Sequence, residues 1–568
     1  MPGPAGSFPG VFGKKSAPWR AVMPRIDCRA MLDTLSASRG RALFFARAKK
    51  ERRSQKMAEP LSPAVAVRTE RIPPLAKLIL ASVAVVALFF VIRALAPQPW
   101  SYDEYYHLGL AREMRSGLRI TSFRWTPFSI LFDQFVDSTP LFHLLLMPIA
   151  TLPLEKAGII GALLGQIFLV GSFAWALWSL RVPRPWWFVL ALPALGTLFV
   201  QRLEMLRPQV WLIGFSVLVV ALLAERRWKT LFVVCALFGL THTGGWIAIP
   251  FAMLWSLSGL AVRGEPDAQR VPWQPMAAAA GGWLLGQLVH PEVPANFRLF
   301  LISNFVVPFQ STAAGDAALR SQLGTEMSRP ELSILAEQWP VFIALAIVLF
   351  ALVFEPRLRS RATLTAGLAA LAFLAVGSFA ARRFIELGAP LSLLALALVI
   401  RERQEKNLSP WLPTWGRLTA AILILVAGVS TVASLRTYGY GVASPPLEMA
   451  RWLGEHGKPS ERVFTVQWAD SAPLLYSAPQ LQSLVALDPT AFYLKDPKLF
   501  QSYVEITAGR SSDPARAIRQ QFGARWATVP YNFYPQVASQ LAKSPGVQLV
   551  YGDRDYAVMD LGPRRREE

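Results

Sequence analysis

Two adjacent carboxylates and a histidine stand in Tyr102-Asp103-Glu104-Tyr105-Tyr106-His107-Leu108, a few residues after the first long apolar run of the chain. A carboxylate can take a proton from a poor nucleophile or hold a metal ion, and an imidazole can orient either partner. Ionisable groups where a membrane helix meets water are costly and mark sites. Packing in lipid does not call for them. The plainer reading is a polar loop with a solvated helix start.

Further polar groups recur between later apolar runs. Glu204 and Arg207 lie in Gln201-Arg202-Leu203-Glu204-Met205-Leu206-Arg207-Pro208, and His242 precedes Gly244-Gly245. His290, Glu292, Asn296, Arg298 and Asn304 follow, then Arg382, Arg383 and Glu386. Arginine suits phosphate because its planar fork donates two parallel charge-assisted bonds. Each group also has a plainer reading. Arg382 and Arg383 could anchor a helix end in headgroups, with Glu386 as a partner one turn away. Glu204 and Arg207 could be a helix-surface pair. His242 could be a satisfied buried histidine, and His290-Pro291 a turn.

The elements that position these groups are membrane helices. Of 568 residues, 53% are hydrophobic and only 17% charged, below the soluble average of roughly 25%. The mean hydropathy is +0.35. Apolar runs of about 17–25 residues recur, the length that spans hydrocarbon. The fold class expected is mainly α: a polytopic membrane protein of about eleven transmembrane helices, with a small C-terminal α/β domain outside the cytoplasm. Three parts are expected: a disordered basic cytoplasmic tail over 1–74, a membrane domain over 75–436 and the outer domain over 437–568. Met57-Ala58-Glu59-Pro60 reads as an alternative start of the chain. Two runs meeting at Thr241-His242-Thr243-Gly244-Gly245 are short and read as half-helices.

The net charge of +21 fits basic inner loops, such as Arg226, Arg227 and Lys229 or Arg357, Arg359 and Arg361. No aromatic and basic module for nucleic acid accompanies it, so nucleic acid is not an expected partner. Placing the basic loops in the cytoplasm puts the N-terminus inside, in an inner or plasma membrane. It also puts nearly every unusual polar residue on the opposite face. Cys28 and Cys235 are poorly placed to pair, so neither a disulfide nor a thiolate metal site is expected.

One reaction needs this collection of groups on an outer membrane face: sugar transfer from a polyprenyl-phosphate carrier. A carboxylate activates the acceptor, and arginine or a metal ion stabilises the leaving lipid phosphate. No soluble nucleotide is required, and neither G-x-x-x-x-G-K-[ST] nor G-x-G-x-x-G occurs at a strand–helix junction.

The Asp103-Glu104-Tyr105-Tyr106-His107-Leu108 segment resembles the first-loop acidic motif of GT-C membrane glycosyltransferases, nearest to the D-x-Y-Y-H-L stretch of oligosaccharyltransferase catalytic subunits. Arg382-Arg383-Phe384-Ile385-Glu386, followed by Pro390, resembles a late-loop motif of bacterial members. Glu204 falls where oligosaccharyltransferases carry a second acidic motif. The resemblance spans most of 75–568.

It implies inverting transfer from a polyprenyl-phosphate sugar to a glycan, lipid or protein acceptor, with membrane lipid as a further partner. Asp103 would be the base or metal-linked carboxylate, with Glu104 its neighbour or substitute. Asp103 and Glu204 would hold a divalent ion, Mg or Mn, which some branches do without. His107 would orient the site, and Arg382 and Arg383 would bind the donor phosphate. Arg207, His242, His290 and Glu386 complete the candidate substrate-binding set.

The chain departs from oligosaccharyltransferases in lacking W-W-D-Y-G. Its C-terminal part has Val466-Gln467-Trp468-Ala469-Asp470, Ala486-Leu487-Asp488-Pro489-Thr490 and Lys495-Asp496-Pro497, which read as turns. This disfavours protein asparagine as the acceptor. The alternative function is a transporter or flippase of a lipid-linked or anionic substrate. That would show repeated halves and charges near the midplane.

Overall fold

The structure, a computed structural model, describes residues 73–562 apart from 118–119, 263–271, 313, 409–415, 438–445 and 486–487. The tail expected over 1–74, with Cys28 and the alternative start at Met57, lies outside the described residues except for its last two positions. The described part, from residue 73 on, belongs to one compact unit. It is mainly helical, with a small sheet near its C-terminus.

Five helices are long and apolar enough to cross a membrane: Pro74–Leu95, Leu154–Ser179, Thr243–Ala261, Arg361–Phe379 and Arg382–Glu405. The protein is an integral membrane protein. Ile79, Leu80, Val83 and Leu95 on the first helix are exposed, as a lipid-facing surface would be.

A sixth span forms if the bent pair Thr197–Glu204 and Pro208–Ala224 counts as one, its halves meeting at 114°. The bend follows from the sequence. A residue before proline is pushed out of the helical region. Arg207, before Pro208, is accordingly extended at φ −157° and ψ 149°. The count of about eleven exceeds these six. Trp228–Thr241 and Trp339–Phe354 are apolar but shorter. The apolar stretch Trp186–Val200 divides into the helix Trp186–Leu190, a 3-10 turn at Leu192–Leu195 and the start of Thr197–Glu204. It breaks at Gly196, whose φ of +129° is open to glycine alone. The expected break at His242 is present: Trp228–Thr241 ends there and a 3-10 turn opens the next helix.

The C-terminal part carries a four-stranded sheet in the order β1-β2-β4-β3: Val463–Thr465 (β1), Trp526–Pro530 (β2), Gln548–Gly552 (β3) and Tyr556–Asp560 (β4). β1 and β2 are parallel, which demands the long helical crossover between them; the other pairs are antiparallel. This part packs on the first-loop helix Tyr102–Ser116 through Ser471–Ser477. Gly109 permits the close approach, since a Cβ there would lie 3.3 Å from Leu475. Gln467 Nε2 donates to the Tyr102 hydroxyl at 2.8 Å, and the Tyr556 hydroxyl donates to Asp470 at 3.0 Å.

Candidate active site

Tyr102–Ser116 opens with Asp103 and Glu104 in its first turn, where the helix dipole favours negative charge. Adjacent helical residues point about 100° apart, so the two carboxylates part. Glu104 turns inward and is fully buried. Its Oε2 accepts from Arg93 Nη2 at 2.5 Å, and its Oε1 accepts from the Trp100 amide at 2.9 Å. A Cβ on Gly158 would come within 2.8 Å of both Arg93 Nη2 and Glu104 Oε2. Glu104, expected beside Asp103 in catalysis, thus occupies a closed pocket and ties the first-loop helix to the end of the first span.

Asp103 turns the other way, with 30% of its side chain exposed. Arg207 Nε lies 3.5 Å from its Oδ2. Burial raises the Asp103 carboxyl above the ordinary range, and Arg207 opposes that shift. The extended backbone before Pro208 carries Arg207 to this position. Beyond it, Glu326 gathers three guanidiniums. Arg207 Nη2 reaches Glu326 Oε2 at 3.2 Å and Arg202 Nη1 reaches the same oxygen at 2.9 Å, while Arg383 Nη1 is 3.8 Å from Oε1. Burial pushes Glu326 up, but Arg207, Arg383 and Arg202 overcome it and hold the acid well below the ordinary carboxylate range. Arg202 Nε also pairs with Glu386 Oε1 at 3.2 Å.

Of the two late-loop arginines, Arg383 approaches this cluster. The backbone amide of Arg382 donates to the Ser328 carbonyl at 3.1 Å and pins the turn against the Glu326 segment. Asp488, held in a turn with the Thr490 amide on its Oδ1 at 2.8 Å, also feels Arg383 and Glu326. His242 Nδ1 accepts from the Gly244 amide at 2.8 Å. Burial, then Arg383 and Arg207, lower its imidazole to about 3, so it is neutral.

His107, one turn after Asp103, is buried, and its Nδ1 lies 2.8 Å from His143 Nε2. Burial, then His143, Arg207 and His242, hold it well below the ordinary imidazole range. His143 Nδ1 in turn lies 2.7 Å from Asp137 Oδ2. His290 stands behind this chain: its Nε2 is 2.9 Å from the Asp137 carbonyl, and its Nδ1 accepts from the Glu292 amide at 3.2 Å. It supports the Asp137 backbone. The structure thus brings together Asp103, His107, Arg207, His242, Arg383 and Glu386.

The pair expected to hold Mg or Mn has separate surroundings. Glu204 is buried and its Oε2 accepts from Gln166 Nε2 at 2.9 Å, with Arg93 and Glu104 as charged neighbours. Those of Asp103 are Arg207, Glu326, Arg202 and Arg383. Among the described residues, no group of three or more His, Cys, Asp or Glu side chains could hold an ion. The side chains beside Asp103 are mostly cationic. This donor set does not fit a divalent metal, and no step below is routed through one.

Sequence reasoning missed Glu326, Asp137 and His143 and quoted Arg202 without a role. Glu326 is one of several acids, with Asp316, Glu331 and Glu337, in a long polar stretch, and nothing local distinguishes it. Asp137 and His143 flank Pro140 at a spacing of six, a pattern too common to single out.

No family model and no curated protein sequence matches the chain. Solved structures do. ArnT from Cupriavidus metallidurans, in a crystal structure bound to undecaprenyl phosphate, superposes with a TM-score of 0.53 and 14% identity, over 85% of this chain and 98% of that one. The arabinofuranosyltransferase AftD from mycobacteria gives 0.48 and 14%, over 86% of this chain and 40% of that one. An oligosaccharyltransferase from Archaeoglobus fulgidus, crystallised with Zn and sulfate, gives 0.48 and 14%, over 82% and 70%. The end-to-end likeness to ArnT, together with the first-loop motif, shows that this chain has a GT-C fold.

Proposed function

We propose that the protein is a membrane glycosyltransferase that moves a sugar from a polyprenyl-phosphate donor to an acceptor hydroxyl, on a glycan, lipid or protein, at the extracytoplasmic face, with inversion. The observation that carries this reading is Asp103 beside a cluster of three arginines whose shared partner is the Glu326 carboxylate. A site that already holds one anion between guanidiniums suits a phosphate in the same place. The ArnT structure of the same fold holds undecaprenyl phosphate, which agrees with such a donor.

In this mechanism the acceptor oxygen attacks the anomeric carbon from the side opposite the phosphate. Asp103 takes the acceptor proton; burial that raises its carboxyl makes it a stronger base. The bond from the anomeric carbon to the phosphate oxygen breaks, and the lipid phosphate leaves with the electron pair. Arg207 and Arg383 receive its growing charge, with Arg202 positioned by Glu386. Residues 75–436 form the catalytic part, and 437–568 form one wall of the acceptor groove. Asp488 and the contacts of Tyr102 with Gln467 and Tyr556 support that assignment.

The test is turnover by purified protein in lipid, with a panel of radiolabelled polyprenyl-phosphate sugars. Wild-type transfer that disappears in Asp103→Asn, at unchanged thermal stability, is the expected result. Equal turnover in both proteins would remove Asp103 from the mechanism. Turnover is expected to persist in chelator; a rate lost to chelator and restored by Mg or Mn would return an ion to the site.

A further inference from the structure

The histidine side of the site is wired. His107, His143 and Asp137 are respectively 6%, 0% and 4% exposed, and form one hydrogen-bonded line. Its proton positions follow from its end. Asp137 is an acceptor: its Oδ1 receives the Thr139 amide at 2.9 Å. His143 Nδ1, 2.7 Å from Oδ2, must therefore carry the proton and donate. If His143 holds that proton alone, its Nε2 is bare and His107 Nδ1 donates to it across 2.8 Å. That leaves Nε2 of His107 as a lone pair.

The line is held at several points. The Phe142 ring meets His107 edge-on at 5.1 Å and 90°, and Tyr106 packs against both imidazoles. His290 donates from Nε2 to the Asp137 carbonyl. Arg207 and His242 also act on His107, and both lie at the arginine cluster described above. His107 thus sits between the wired line and the phosphate-binding arginines.

We propose that Asp137 and His143 set the tautomer of His107, so that its bare Nε2 receives a hydrogen bond from a second hydroxyl of the acceptor, beside the attacking one whose proton goes to Asp103, and so orients the acceptor toward the sugar. This rests on the transferase reading above and deepens it. The acceptor must bring such a neighbouring hydroxyl, as a sugar does. His107 is the binding residue; His143 and Asp137 are positioning residues that act through it.

Asp137→Asn tests the line because it reverses it. The Thr139 amide still needs an acceptor at Oδ1, which turns the new amide nitrogen toward His143 Nδ1. His143 must then accept there and donate from Nε2, and His107 must carry its proton on Nε2. A group that should accept the hydrogen bond of that second hydroxyl becomes a donor.

The experiment is 15N spectroscopy of histidine-labelled full-length protein in lipid, paired with steady-state transfer. The chain has five histidines, so a His107→Gln spectrum assigns the signal by difference. The expected result is a bare Nε2 on His107 in the wild type and a protonated one in Asp137→Asn. With it, kcat should fall by about a hundredfold or more while the donor KM stays within about twofold. A protonated Nε2 in the wild type would overturn the proposal. So would a reversed tautomer with unchanged kcat. Should Asp137→Asn not fold, the wild-type spectrum and the kcat of His143→Gln decide alone. A wild type with the stated tautomer that transfers from no donor would sink the transferase reading, and with it the role given to His107, while the wiring itself stood.

Discussion

Arg202 and Glu326 are 124 positions apart in the chain, and Arg202 Nη1 donates to Glu326 Oε2 at 2.9 Å. The same oxygen receives Arg207 Nη2 at 3.2 Å. Glu326 is therefore the anion around which the cluster is closed. A donor phosphate entering between these guanidiniums must compete with it. Glu326→Gln is expected to lower the donor KM by roughly tenfold, the size of one charge-assisted hydrogen bond. A raised donor KM would show that Glu326 orders the arginines and is not displaced.

Arg207 touches both Asp103 and Glu326, and its Nε also lies 3.0 Å from Gln209 Oε1. Lysine keeps the charge and loses the fork. Arg207→Lys should raise the donor KM by about ten- to a hundredfold and leave the acceptor KM alone. Initial rates with each substrate varied in turn would show it. A change confined to the acceptor KM would move the phosphate away from Arg207.

Glu104 and Arg93 are buried at 0% and 1% exposure. Removing one member of such a pair costs about 3–5 kcal/mol, because the other charge is stranded. Glu104→Gln should lower the thermal unfolding temperature markedly, with kcat per folded molecule near that of the wild type. Intact stability with lost turnover would return Glu104 to the chemistry.

Asp470 is buried beneath β4, and burial raises its carboxyl to about 8 against hydrogen bonds from Tyr556 and Tyr102. In the unfolded chain the group titrates near about 4. Between these values the folded protein holds a proton that the unfolded chain has released. This contribution to stability is complete at pH below about 4 and is lost as pH rises through about 8. Asp470→Asn, neutral throughout, should flatten the fall of unfolding temperature between about pH 4 and 8. A parallel fall in both proteins would assign it to other groups.

The site was legible where local pattern carries it. The apolar run that ends before Trp100, the acidic pair at its exit and the proline that extends Arg207 are all local features. Which of two adjacent carboxylates faces the site was not legible. A helix turns about 100° per residue, and the space beside Gly158 draws Glu104 in and leaves Asp103 out. Of the adjacent Arg382 and Arg383, it was likewise not legible that Arg383 reaches Glu326.

By itself the sequence determined a membrane chain with its unusual polar residues gathered between apolar runs, because hydropathy and charge act along the chain. Only the tertiary structure decided that Glu326 closes the arginine cluster and that Asp137 orients His143 and His107. Hydrogen bonds and ion pairs depend on ångström-scale approach between side chains far apart in sequence. That approach is set by how helices pack and where they break.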